Sequence, residues 1–263
     1  MDEQIIIKTD LAGLRLYATA QEGLEFYASH IDQLNNWYKA IEEIQTLSVV
    51  HQITTNPHLD NLKKIISVDS LLSRALSDLN LIASELYLAK IKLQQIYYIK
   101  QAYLLIYETY ENFRKQQSFI SELVNILGGE FQDEFKSWLQ LKKSFFKKHQ
   151  IETSVRTVRD KLAGHIELDF RLWYQTTIAL DSSYTFNMII DHSKVLEPLQ
   201  RLSSKLVLHL KDLMDKQALE IRQNTNEIID KIEKTLETVN ERQPEGMKLD
   251  IDIEQLRKLN KSS

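Results

Sequence analysis

The residues of this chain best suited to do chemistry lie in one short run, Arg159-Asp160-Lys161-Leu162-Ala163-Gly164-His165. A histidine titrates near neutrality and can move a proton at physiological pH. An arginine is permanently cationic and holds phosphate through two N–H groups at once. Six residues apart on a straight helix, the two side chains would point about 120° apart and could not meet. Gly164 is a helix stop that lets His165 swing back toward Arg159. Asp160 can orient the imidazole or the guanidinium. The approach to the run is basic: between 141 and 161, Lys142, Lys143, Lys147, Lys148, Arg156, Arg159 and Lys161 face only Glu152 and Asp160. Such an excess attracts a phosphate backbone.

An Arg–polar–(x)–His run of this kind resembles the signature of the HEPN superfamily, in the "R-D-K-x-x-A/G-H" form of abortive-infection-like members. The resemblance covers Arg159, Asp160 and His165 and extends loosely over the flanking helices, about 70–200. It implies an all-α bundle with the motif at a helix end, two subunits that bring their motifs together, and metal-independent RNA cleavage. Arg159 would then clamp the scissile phosphate and His165 would serve as general acid or base. Asp160 would orient one of them. Lys142, Lys143, Lys147, Lys148, Arg156 and Lys161 would guide RNA. Glu108 and Glu111 are candidate supporting carboxylates behind the motif. The plain alternative is structural: a solvated basic face, surface pairs for Arg159 and Asp160, and a histidine favoured beside the negative end of a helix.

No second chemistry competes. Without cysteine there is no disulfide framework, thiolate nucleophile, cysteine-held zinc or iron–sulfur cluster. No HExxH or other paired metal spacing occurs, and His149, His192 and His209 stand alone in the sequence. Neither a Gly-rich phosphate loop nor a G-x-S-x-G elbow is present. The reading therefore requires no metal and no cofactor. Tyr97, Tyr98, Tyr103, Tyr107 and Tyr110 could stack on bases, but their helical spacing is that of a core or subunit interface.

The elements that must position the motif are helical. The 263 residues include only six Gly and three Pro, with 43% hydrophobic and 27% charged residues and a net charge of -4. That is globular composition, and its mild acidity excludes a protein that is basic all over. Leu24, Tyr27, Ile31, Leu34, Tyr38 and Ile41 alternate steps of three and four, the apolar stripe of a helix of roughly 25 residues. Asn56-Pro57 marks a helix start, and Asp69 or Ser70 a second. The stretch 70–125 reads as one very long helix or as two with a polar break, ended by Gly128-Gly129. Glu130–His149 is the next helix, and a shorter one capped by Thr153 or Ser154 runs to Gly164. IELDFRLWYQTTIAL can be helical, DSS at 181–183 is a turn, and TFNMIID is β-prone. From about 195 to 241 a second long helix follows, with Pro198 near its start. It carries a seven-residue repeat: Met214, Ala218, Ile221, Thr225, Ile228, Ile232, Thr235 and Val239.

The expected class is all-α, a bundle of long helices with a HEPN-like core. Residues 1–66 form N-terminal helices packed on the bundle, 67–200 the HEPN-like core, 201–241 a long C-terminal helix able to form a coiled coil, and 242–263 a flexible tail. The N-terminus lacks the basic start and long apolar run of a secretory signal. The most apolar stretch, 81–107, carries Glu85, Lys90, Lys92 and Lys100 and is unsuited to lipid. A cytoplasmic, homodimeric ribonuclease in stress or phage defence is one reading. The other is a non-catalytic scaffold that binds a protein partner through 214–239 or the tail.

Overall fold

The computed structural model describes residues 3–50, 57–160, 179–241 and 251–262, with side chains at 18–46, 58–160, 179–241 and 251–258. Among the described residues there are seven α-helices and no strand: α1 (Glu3–Val50), α2 (Pro57–Leu88), α3 (Lys92–Leu127), α4 (Gly129–His149), α5 (Arg156–Val158), α6 (Ser182–Glu241) and α7 (Ile253–Ser262). A π-helical stretch, Ile151–Val155, joins α4 to α5. By internal packing the chain divides into two units, 1–207 and 208–263.

In the first unit α1 packs along α2, α2 along α3, and α3 along α4. The core is built from helix faces: Leu34 from α1, Ile65, Leu72 and Leu79 from α2, Ile99 and Ile106 from α3, Trp138 from α4, and Leu196, Leu199 and Leu202 from α6, each 1% exposed or less. Where α1 passes α2 the Asn80 side chain lies over Gly23, and a Cβ there would stand 2.9 Å from Asn80 Nδ2.

The helix ends follow local chemistry. Pro57 sits at the first position of α2, where its missing N–H costs nothing. The chain takes the two-helix alternative for 70–125. It breaks at Ala89–Ile91, where Gln95 Nε2 donates to the Ala89 carbonyl at 3.0 Å. Neither Gly nor Pro marks that break. Gly128 (φ 69) and Gly129 (φ 56) take the positive φ that ends α3, and the Gly128 N–H returns to the Val124 carbonyl at 2.9 Å. Gln150 adopts the left-handed conformation at the end of α4 without being glycine.

Several expectations are corrected. α1 begins long before Leu24. No helix starts at Asp69 or Ser70. Asp69 lies inside α2, fully buried, and its carboxylate accepts from Ser203 Oγ (3.0 Å), Ser204 Oγ (2.9 Å), Gln200 Nε2 (3.3 Å) and His30 Nε2 (3.1 Å). A capping residue by type is here a hub joining α1, α2 and α6. Thr153 and Ser154 do not cap a helix, and their backbone N–H groups bond the Gln150 carbonyl in the π stretch. The β-prone TFNMIID is helical, because Asp181 caps α6: its Oδ1 accepts from the Tyr184 N–H at 2.6 Å. Pro198 is therefore interior to α6, where it removes one ladder donor. In the turn before it, the Val195 carbonyl accepts the indole N–H of Trp138 at 3.1 Å. The expected helix end at Gly164 and the stretch 166–178 lie outside the described residues.

In the second unit, α6 continues from Leu208 to Glu241 and α7 follows after Asp252, whose Oδ1 accepts from the Gln255 N–H. Arg257 of α7 reaches Asp230 and Glu233 of α6 at 2.8 Å each. The repeat face stays largely exposed: Ile221 is 64%, Ile228 56% and Ile232 36% exposed.

Candidate functional site

Arg159 follows α5 and faces the middle of α3. Its Nη2 donates to Glu108 Oε1 at 2.5 Å and its Nη1 to Asp160 Oδ1 at 2.9 Å. The guanidinium carbon lies 5.2 Å from the centre of the Tyr107 ring, within reach of a cation–π contact. The bonds to Glu108 and then Asp160 raise the already high pKa of the guanidinium further. Arg159 Nε is buried with no hydrogen-bond partner among the described residues. Asp160 also lies 3.6 Å from Arg156 Nε.

The platform beneath this cluster is aromatic. Tyr110 donates its hydroxyl to Glu152 Oε1 at 2.6 Å and meets Phe146 edge-on at 4.7 Å. Burial, and then the Glu152 bond, push the Tyr110 phenol up to about 12, so it remains a donor at neutral pH. Ile151 and Val155 anchor the π stretch in the core. Their burial, with the Tyr110–Glu152 bond, sets the phase at which Arg159 meets Glu108 across 51 positions of sequence.

Glu108 and Asp160 both pair with Arg159, whereas Glu111 pairs with Arg114 at 3.1 Å. His165 and Lys161 lie outside the described residues. The other cations separate. Lys143 and Lys147 are exposed on α4. Lys148 Nζ is 2.5 Å from Asp191 Oδ2. Lys142 turns inward, contrary to its expected place on an RNA-facing surface. It is 9% exposed, bonds Gln117 Oε1 at 2.6 Å, and lies 5.3 Å from the rings of both Trp138 and Phe146. Burial lowers its pKa. An α4 position that reads as basic is a core position by phase, one turn from Trp138 and Phe145.

Chemically, the cluster presents a guanidinium fixed in direction and largely matched in charge by two carboxylates. A phosphate oxygen that took Nη1 would displace Asp160, whose side chain is nearly half exposed. The Glu108 bond could persist and hold the guanidinium plane.

Sequence reasoning missed a second polar cluster. His149 and His192, expected to stand alone, flank Phe145 at 4.9 and 5.0 Å. His149 Nε2 donates to Asp191 Oδ2 at 3.0 Å, which leaves Nδ1 to accept from the Tyr184 hydroxyl at 3.2 Å. Lys148 and then His149 hold the Asp191 carboxyl below its ordinary value against the opposing effect of burial. His192 is buried, with neither ring nitrogen bonded among the described residues, and burial is the main cause that lowers its pKa to about 3. His149 and Asp191 stand 42 positions apart, and spacing gave no signal for this pairing.

Among the described residues no group of three or more His, Cys, Asp or Glu could hold a metal ion, and no helix is long and apolar enough to cross a membrane. Set against known proteins, the chain matches no family model, no curated protein and no solved structure.

Proposed function

We propose that this chain is a HEPN-like, metal-independent endoribonuclease, cytoplasmic and homodimeric, that acts in bacterial stress or phage defence. The observation that supports this reading is the meeting of Glu108 with Arg159 beside Asp160. A guanidinium whose direction is fixed by a carboxylate from another helix is prepared for a phosphate rather than left to wander. Arg159 steadies the charge that develops on the phosphorus oxygens as the RNA 2′-hydroxyl attacks. His165 moves the proton, and Lys143 and Lys147 draw in the backbone. Purified wild type, Arg159→Ala and His165→Ala are compared on labelled RNA with and without chelator. The expected result is chelator-resistant cleavage that falls about 10²–10⁴-fold in His165→Ala. Cleavage by His165→Ala at the wild-type rate overturns the reading.

A second reading is favoured by the exposed apolar positions Ile221, Ile228 and Ile232 of α6. They suit a helical interaction protein that pairs with a partner, or with a second copy, through the 214–239 repeat. Ile228→Glu with Ile232→Glu would then abolish association in sedimentation, while Arg159→Ala would leave it intact.

A further inference from the structure

Beside the Arg159 cluster, and sharing Glu108 with it, the paired helices α2 and α3 form an open groove of about 700 Å³. Its floor is apolar, with Leu81, Ile82, Leu104 and Leu105, and Tyr97 stands along one side. Leu81 is 39% and Tyr97 57% exposed, so these side chains face outward without a cover. Leu88, 44% exposed, continues the same face of α2 beyond Glu85.

Among the described residues the charged side chains lining the groove are acidic: Asp78, Glu85 and Glu108. Asp78 and Glu85 are seven residues apart on α2, so they share a face at about 10.5 Å spacing. Tyr98 of α3 donates to Glu85 Oε2 at 3.1 Å, which fixes the register of the two helices at that end. Glu108 lies ten residues further along α3, about 15 Å on, and so borders the opposite end. Glu108 is already paired with Arg159, so the carboxylates left to an occupant of the apolar floor are Asp78 and Glu85 on the α2 side. Asp78 is already penalised there: burial raises its carboxyl pKa, and Arg74 offsets this only in part.

We infer that the α2–α3 groove is a docking site for a cationic amphipathic helix of a partner protein. Charge complementarity selects this occupant. A helix laid between two helices sets its apolar ridge on Leu81, Leu104 and Leu105. Lys or Arg two turns apart on that helix match the spacing of Asp78 and Glu85. The apolar face running past Glu85 to Leu88 is longer than a small polyamine would use. The inference does not depend on nuclease activity.

The test uses the full chain and a synthetic fluorescent helix with Leu at i, i+3, i+4 and i+7 flanked by Lys. A second peptide keeps every Leu and replaces each Lys with Glu. Anisotropy is expected to show the Lys peptide binding at least about tenfold more tightly than the Glu peptide, with the difference shrinking as salt is raised. Leu81→Lys, Tyr97→Lys and Asp78→Lys, all at the groove surface and checked for helical content, are each expected to weaken binding by about tenfold or more. Equal binding of the two peptides, no binding, or binding indifferent to all three variants overturns the proposal. It is also overturned if spermidine displaces the Lys peptide at equal charge concentration, which would mark simple cation binding. Self-association that Leu81→Lys abolishes would assign the groove to a second copy and overturn it as well.

Discussion

Replacing His192 with Leu is expected to strengthen the protein, and to do so most in mild acid. The imidazole is 2% exposed and stacks on Phe145. Both ring nitrogens lack a partner among the described residues. Burial is the main cause that lowers its pKa from 6.5 to about 3. A folded-state value below the unfolded one means that the unfolded chain takes up the proton first. Stability tied to this group is therefore intact above about 6.5 and drains away as pH falls toward 3. At pH 4.5 the unfolded chain is protonated at this position and the folded chain is not, a difference of about 2–3 kcal/mol from the linkage relation. Against a usual total of about 5–15 kcal/mol this is a visible fraction. Leucine fills a similar volume, removes the titration and removes two unpaired polar atoms that cost about 1–3 kcal/mol each when buried. Urea unfolding of wild type and His192→Leu followed by circular dichroism at pH 7 and pH 4.5 measures both effects. The gap between them should widen by about 2–3 kcal/mol at the lower pH. Asp191 does not confound the window, because its lowered value places its loss of stability below 3.8. Parallel pH dependence in the two proteins would refute the argument.

Three other outcomes follow from buried or half-buried polar groups. Asp69→Ala removes the acceptor shared by His30, Gln200, Ser203 and Ser204; it should cost about 3–5 kcal/mol in urea unfolding, the range for breaking a buried charged network. His30 titrates in the opposite sense to His192: its bond to Asp69 raises its pKa, so that contribution is complete below 6.5 and lost as pH climbs through the raised value. Wild type should thus lose stability as pH rises above 6.5, and His30→Gln should flatten that part of the curve. Lys142→Met keeps the contacts with Trp138 and Phe146 while removing a buried ammonium; its unfolding midpoint should move by no more than about 1 kcal/mol. RNA affinity, read by filter binding, should be unchanged in that variant, whereas Lys143→Ala with Lys147→Ala should lower it.

The all-helical architecture was legible because apolar spacing of three and four is imposed by the helix itself and survives any tertiary arrangement. Pro57 and Gly128-Gly129 were legible for the same local reason: their backbone preferences act wherever they stand. Asp69 misled, because a residue that caps helices by type can equally be buried once three hydroxyl and amide donors converge on it. TFNMIID misled because its β-branched and aromatic content was outweighed by the cap at Asp181 and by burial of Met188 and Ile189. At the site, the sequence offered Glu108 and Glu111 alike as carboxylates behind the motif, and only the packing of α3 against the π stretch decides that Glu108 meets Arg159 while Glu111 meets Arg114. The inward turn of Lys142 was not, since only the phase of α4 relative to Trp138 and Phe145 decides it. The pairing of His149 with Asp191 depends on how α4 meets α6, which no spacing encodes.

The stretch Ile151–Val155 winds with one residue more per turn than its neighbours require. That surplus works as a phase setting for everything after it. Rewinding these residues as ordinary α-helix at unchanged length would swing the following residues by roughly 100°, whereas losing one residue with the rewinding would leave their phase nearly as it is. In the first case Arg159 would keep its sequence neighbours and lose Glu108 and Tyr107 together, without any change to the residues that form the cluster. The winding of this connector is therefore under as much constraint as the identity of the arginine it aims.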